Sequence, residues 1–304
     1  MKMRSVFNEV LGKDVPIPEE PHRIVSLSPA ITESLFLLGL GKEIVGVSAF
    51  CARPPEARNK RKVGSYSTTN IDVLRSLKPD LIFTITGYQR PLGLKLTDEF
   101  SVYPIALPVS VSGIVDTIIK VGLVVGRVDE ARNLASSLLR SLAKLRPVQT
   151  RPRVYVEIDL GGPVSFGAYS YIVDAFGYLG ASTLFDGVMS EWLTPDLAKV
   201  QEMDPDVFVY EAKMYSKFSR NDFERMIDKR GWRGMRAIRS GNYMKTPGPL
   251  DFLAHHGPSF ITEVLPWISA NLSDIKKDTQ SQRSGSSSKI NGPDSNHPGS
   301  HVKP

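Results

Sequence analysis

The chain has 304 residues, 41% of them hydrophobic and 23% charged, a balance typical of a globular protein long enough for two lobes that each bury a core. Of its net charge of +6, two charges fall in the Ser/Gly-rich last 32 residues, and what remains is too little for a dedicated nucleic-acid surface. A single cysteine, Cys51, excludes an intrachain disulfide framework and a cysteine zinc cluster, and no apolar run approaches a membrane span.

Residues 1–20 carry basic groups with no apolar stretch behind them and read as an N-terminal extension without a secretory signal or lipid-attachment cysteine. That leaves a cytosolic chain, or an exported one whose precursor begins upstream. "RIVSLS" predicts a strand and "AITESLFLLGLG" a helix closed by Gly39. "EIVGV" predicts a second strand, and "IDVLRSLKPDLIFT" a helix that turns through Pro-Asp into a third. Two helical periods follow. Ile114, Ile118, Val121 and Val125 form one apolar stripe; Ala131, Leu134, Leu138, Leu142 and Leu145 form another, with Asp129 as the expected N-cap. A helix over about 129–145 would span roughly 25 Å, enough to join two lobes stiffly, so closure on a ligand should be small.

The plan then repeats. "RVYVEI" predicts a strand, "YSYIVDAFGYLGA" a helix closed by Gly180, and "LAKVQEMDPDVFVYE" again a helix, Pro-Asp and strand. Lys78-Pro79-Asp80 and Asp204-Pro205-Asp206 thus occupy matching places. The expected organisation is a lobe over 21–112, connecting helices over 113–150, a second lobe over 151–272, and a disordered tail over 273–304 that is too polar to offset its ordering entropy.

The turn "SLSPAITE" lacks the glycines of a phosphate loop or a hydrolase elbow. It supplies a helix N-terminus with hydroxyls, suited to a reversible polar contact through Ser28 or to simple capping. In "GSYSTTNID", Tyr66 offers an aromatic face, Asn70 is an N-cap, and Asp72 falls in the first helical turn. Phe166 and Tyr169 follow a Gly-rich turn, and Trp192 sits in "SEWLTPD" before a helix expected to start with Thr194 as cap and Pro195 at its first position. The adjacent His255 and His256 cannot face one point and make a poor bidentate metal site, leaving at most one nitrogen for an axial or hydrogen-bonding contact. No nucleophile, base and orienting group stand together, so no catalytic residue is assigned.

Three segments resemble one family: "PHRIVSLSPAITESLFLLGLGKEIVGVSAFCARPPEA", "KVGSYSTTNIDVLRSLKPDLIF" and "LDFLAHHGPSFITEVL" are similar to segments of the helical-backbone substrate-binding proteins of ABC importers for cobalamin, iron-siderophores and haem. The likeness runs over about 20–270 and is greatest to the cobalamin-binding branch. It implies two pseudo-symmetric α/β lobes joined by a long helix, a ligand cleft between them, no enzymatic activity, no intrinsic cofactor or metal, and a monomer outside the cytoplasm that works with a membrane permease. The cargo implied is cobalamin or another corrinoid, with a ferric siderophore or haem as alternatives. By the same resemblance Phe50, Tyr66, Phe166 and Trp192 border the ligand, and Asp251 to His256 close the cleft. Asp72 would dock on the permease. Asp196 is its second-lobe counterpart, although Ala198 holds the equivalent spacing to the Pro-Asp turn. The competing reading is a cytosolic metal-cofactor chaperone or a chelatase-like enzyme of related two-lobed fold, with a histidine as proton acceptor.

Overall fold

The computed structural model describes residues 2–276. The elements in chain order are β1 (Met3–Asn8), β2 (Lys13–Pro18), β3 (Ile24–Ser26), α1 (Pro29–Leu37), β4 (Ile44–Ser48), β5 (Lys62–Gly64), α2 (Ile71–Leu77), β6 (Leu81–Ile85), α3 (Arg90–Leu96) and β7 (Val102–Ile105). Two long helices, α4 (Val111–Val124) and α5 (Val128–Leu142), come next. They are followed by β8 (Arg153–Asp159), β9 (Pro163–Phe166), α6 (Tyr171–Tyr178), β10 (Ser182–Thr183), β11 (Trp192–Leu193), α7 (Leu197–Met203), β12 (Val207–Glu211), α8 (Arg220–Arg230), α9 (Arg236–Arg239), β13 (Tyr243–Lys245) and α10 (Leu265–Ser273).

The first lobe is built on a parallel sheet of order β5-β4-β3-β6-β7. Its strands are apolar on both faces, as a sheet covered by helices on both sides requires. Ile24, Val47, Leu81 and Phe83 pack toward α1, while Val25, Leu27 and Ile82 pack with Leu74 of α2 and Leu96 of α3. In the second lobe β13, β12 and β8 are parallel; β10 runs parallel to the start of β8, and β9 and β11 extend the sheet antiparallel from its end.

The repeat read from the sequence is a repeat of hydrogen bonds. α2 and α7 both end on a residue in the left-handed region, Lys78 (φ 44°) and Asp204 (φ 43°). Asp80 then accepts from the Arg23 backbone N–H while its own N–H donates to Arg23 O at 3.0 Å. Asp206 does the same with Arg153, at 2.8 and 2.9 Å. The Arg23 guanidinium reaches Leu77 O, and that of Arg153 reaches Met203 O at 2.9 Å. Each joint ties the end of one helix to two neighbouring strand starts.

Both long helices join the lobes, not α5 alone. Along α4, Val111, Ile114, Val115 and Ile118 lie in the second-lobe core, and Val121 and Val124 in the first. α5 returns with Ala131 in the first core and Ala135, Leu138 and Leu142 in the second. They touch so closely that a Cβ at Gly122 would collide with that of Ala131. Asp129 is not the N-cap: α5 starts at Val128 behind Arg127, and Asp129 lies in the first turn, where its charge still suits the helix dipole. α7 likewise starts later than expected. Asp196, not Thr194, is its N-cap, because a carboxylate at that place reaches both Ala198 N and Lys199 N.

The N-terminal segment forms the β1–β2 hairpin, with Val15 and Ile17 buried in the first-lobe core. At the other end, Ile275 packs on the second-lobe core, and Asn242 exchanges two hydrogen bonds with the Lys276 backbone. The rest of the tail expected to be disordered lies outside the described residues.

Candidate ligand-binding cleft

In parallel sheets the loops after the strands carry the site, at the carboxyl edge of the sheet. Here those loops hold Ser28 after β3, Phe50 after β4, Tyr66 after β5 and Tyr88 after β6; Trp192 in β11 meets them from the second lobe.

Ser28 is fully buried, and its hydroxyl is used inside the fold as the N-cap of α1, accepting from Ile31 N at 3.5 Å. The Thr32 hydroxyl, also buried, lies 2.8 Å from Ser26 Oγ, 2.9 Å from Ser28 O and 3.1 Å from Cys51 Sγ. The polar turn that stands out in the sequence is therefore an internal network, and the faces turned outward are aromatic. Phe50 is 36% exposed. Tyr66 is half-buried, and burial followed by the nearby Glu191 and Asp251 carboxylates pushes its phenol up. Its loop is pinned by the buried Gln89, whose Nε2 donates to Tyr66 O at 2.6 Å and Leu27 O at 3.0 Å while Oε1 accepts from Ile85 N.

From the second lobe, Phe166 and Trp192 are register partners on β9 and β11. Trp192 stacks on Tyr88 of the first lobe, with ring centroids 4.6 Å apart at 19°. Both rings remain substantially exposed, 38% and 54%, so the stack closes the cleft without burying it. Gly87 makes this approach possible: its φ of 72° turns the chain out after β6, and Glu191 lies against the place a Cβ would fill.

The segment 251–259 ties the two lobes together. Arg53 donates to Asp251 at 3.1 Å, both side chains being only about 15% exposed. Glu33 on α1 is within 2.7 Å of His255 Nε2 and accepts from Ser259 N and Ser259 Oγ, each at 3.1 Å. Burial alone would raise the Glu33 carboxyl, but His255 and Ser259 outweigh it and hold the carboxyl below its usual range. Glu211, at the end of β12, accepts from Leu253 N and Ala254 N, and burial pushes its carboxyl up to about 7. His256 points elsewhere. Its ring lies 5.6 Å from that of Tyr171, and burial, followed by the neighbouring His255, lowers it to about 3. The two histidines diverge, as adjacent residues must.

Asp72 and Asp196 are both exposed at helix starts and differ in use. Asp72 lies in the first turn of α2 behind the Asn70 cap, with its side chain 91% exposed and an ion pair to Arg75 at 3.2 Å. Asp196 spends one oxygen on capping α7, and the place matching Asp72 is Ala198.

Sequence reading missed Tyr88, Gln89, Glu191 and the Arg53–Asp251 pair. The stretch "TGYQR" after β6 carried the available signal, since it occupies the same sheet edge as the loops that were singled out. The pairings themselves arise only where the lobes meet. Two cavities stand out among the described residues. One of about 670 Å³ lies on the outside of the second lobe between α7 and α8, away from the residues both lobes share. The other, about 540 Å³, opens at the cleft rim beside Gly87 and Glu191.

Residues 24–250 match the periplasmic binding protein family. A cobalamin-binding protein of Halobacterium salinarum is 25% identical over 205 residues, covering 64% of this chain and 55% of that protein. An uncharacterized ABC transporter substrate-binding lipoprotein of Bacillus subtilis is 41% identical over 76 residues, 25% of this chain and 24% of that one. The chain thus spans between a quarter and just over half the length of these curated relatives. Among solved structures, a periplasmic heme-binding protein of Roseiflexus sp. RS-1 superposes with a TM-score of 0.70 at 20% identity, covering 84% of this chain and 98% of its own. That likeness speaks for the two-lobed fold alone.

Proposed function

The chain belongs to the periplasmic binding protein family, and on that premise we propose that it binds a corrinoid such as cobalamin between its lobes and hands it unaltered to an ABC permease. The observation that carries this reading is the stacking of Tyr88 of the first lobe on Trp192 of the second at one cleft, with Tyr66 beside Glu191 and Phe166 next to Trp192 in register. Aromatic walls supply contact area to a bulky, largely apolar macrocycle, and the half-buried carboxylates among them orient its polar periphery. The cobalamin-binding relative supports the choice of cargo. A ferric siderophore or haem is the alternative cargo. The protein acts as a monomer outside the cytoplasm, where Asp72, with Asp196 on the other lobe, docks on the permease.

Admitting a flat ring requires the Tyr88–Trp192 stack to part, because a guest needs contacts of about 3.5 Å on each face. The paired helices α4 and α5 keep that movement small. A chelatase-like role finds less support: His255 is bonded to Glu33 and His256 is buried, so neither ring is offered to a guest as a proton acceptor.

Calorimetric titration with cyanocobalamin and, separately, with haemin tests the reading. It predicts one-to-one binding of cyanocobalamin in preference to haemin, weakened by about 1–3 kcal/mol in Tyr66→Ala or Trp192→Ala at unchanged melting temperature. Preference for haemin, or full affinity in both variants, contradicts it.

A further inference from the structure

We infer that the cavity at the cleft rim, between the tip of the β1–β2 hairpin and the edges carrying Arg90 and Glu191, is a subsite for a primary carboxamide arm of the ligand; this rests on the corrinoid reading above. Three parts of the chain build this cavity of about 540 Å³: Glu9 and Val10 from the hairpin, Thr86, Gly87 and Arg90 from the first lobe, and Glu191 from the second. The hairpin lies ahead of the matched residues 24–250, and its buried Val15 and Ile17 anchor this wall in the first-lobe core.

That wall is fixed in place. Asn8 is buried, donates from Nδ2 to Pro104 O at 2.8 Å and accepts from Val10 N and Leu11 N, which sets the turn. The Tyr103 hydroxyl donates to Phe7 O, and Arg4 reaches the Leu123 and Val124 carbonyls at the end of α4.

The charges inside select the guest. Glu9 is engaged with Lys120 at 2.7 Å, and Thr86 Oγ1 accepts from Leu107 N at 2.7 Å. Arg90 and Glu191 have no side-chain hydrogen bond or ion pair among the described residues, not even with each other. Glu191 is half-buried, and burial is the cause that raises its carboxyl. A half-buried carboxylate and an exposed guanidinium that line one cavity match a group that donates N–H to one and offers C=O to the other. A primary carboxamide does both. A carboxylate arm would meet Glu191 with like charge, and an ammonium arm would do so with Arg90.

The test is titration of the full chain and its variants with cyanocobalamin and with its monocarboxylic acids, in each of which one peripheral carboxamide has been hydrolysed. Wild type should bind cyanocobalamin about tenfold more tightly than the monoacid whose altered arm enters the cavity, a difference set by one charged contact. Arg90→Ala and Val10→Trp, the second filling the cavity from the hairpin side, should each weaken cyanocobalamin binding several-fold at unchanged melting temperature. Glu191→Gln should tighten binding of that monoacid relative to wild type, which a merely structural role would not produce. Wild-type binding of cyanocobalamin with no discrimination among the acids and no change in the three variants overturns the subsite and leaves the corrinoid reading standing. A wild-type protein that binds none of these corrinoids contradicts both.

Discussion

Where the two lobes correspond, they share a joint and differ in the layer behind it. Asp80 and Asp206 make the same backbone contacts to Arg23 and Arg153, and the strands pair in the same register, Ile24 with Leu81 and Val154 with Val207. On that register Val25 and Leu27 of the first lobe correspond to Tyr155 and Glu157 of the second. In the first lobe this layer is apolar; in the second, Glu157 is almost fully buried, accepts from the Tyr155 hydroxyl at 2.6 Å and takes two bonds of 2.8 Å from Arg230, which also lies over the Trp232 ring. The joint answers a backbone demand that any helix-to-strand turn of this shape must meet, while the layer behind it admits a charge only when the charge arrives with its partner.

The largest effect comes from separating that pair. Arg230→Met strands the Glu157 carboxylate and should cost about 3–5 kcal/mol in denaturant unfolding, whereas Glu157→Leu with Arg230→Met, which restores first-lobe chemistry, should recover most of the loss. A double variant as unstable as the single one would mean that the network does more than neutralise itself. Next, Asp80→Ala, and Asp206→Ala made in an Arg236→Met background that removes the ion pair carried by Asp206 but not by Asp80, each remove acceptors of backbone N–H groups and should cost about 1–3 kcal/mol apiece, by similar amounts. Clearly unequal losses would break the equivalence of the two joints.

A third prediction concerns pH and is confined to the second lobe. His256 stays neutral in the fold down to about 3, while the unfolded chain takes that proton near 6.5, so its contribution to stability falls as pH drops through that window. Glu211 holds its proton in the fold up to about 7 and loses it near 4.5 when unfolded, so its contribution falls as pH rises between those values. The two slopes oppose each other between about 4.5 and 6.5. Glu211→Gln should therefore leave stability rising with pH across this range, and His256→Phe should leave it falling; unfolding free energies measured at several pH values check both signs.

The smallest effects separate the helix starts. Asp196→Ala removes the α7 cap and should cost about 1 kcal/mol. Asp72→Ala, behind an intact Asn70 cap, should stay within about 0.5 kcal/mol and yet lower uptake through the permease. A stability loss at Asp72 equal to that at Asp196 would erase the distinction.

Most of the frame is legible in the sequence because it rests on local signals. Apolar strands, Gly39 and Gly180 as helix stops, and two Pro-Asp turns each announce their element within a few residues. Helix starts were less legible where several polar residues compete. In "TPDLAK" Thr194 is the expected cap, but the Asp196 carboxylate, which reaches two N–H groups, takes the place. Tyr66 and Trp192 were visible as loop aromatics, but Tyr88 acquires its meaning only by stacking across 104 residues of chain. Glu33 has no partner nearby in the sequence, since His255 and Ser259 lie more than 220 positions away. Contacts made where two lobes meet have no local pattern to betray them.

The most direct measurement is a crystal structure of the protein with cyanocobalamin. One corrinoid is expected between the lobes, in contact with Tyr66 and Trp192, with Tyr88 and Trp192 parted and α4 and α5 unbent. A corrinoid seated instead in the outer cavity between α7 and α8, or a Tyr88–Trp192 stack left intact beside the bound ligand, would contradict it.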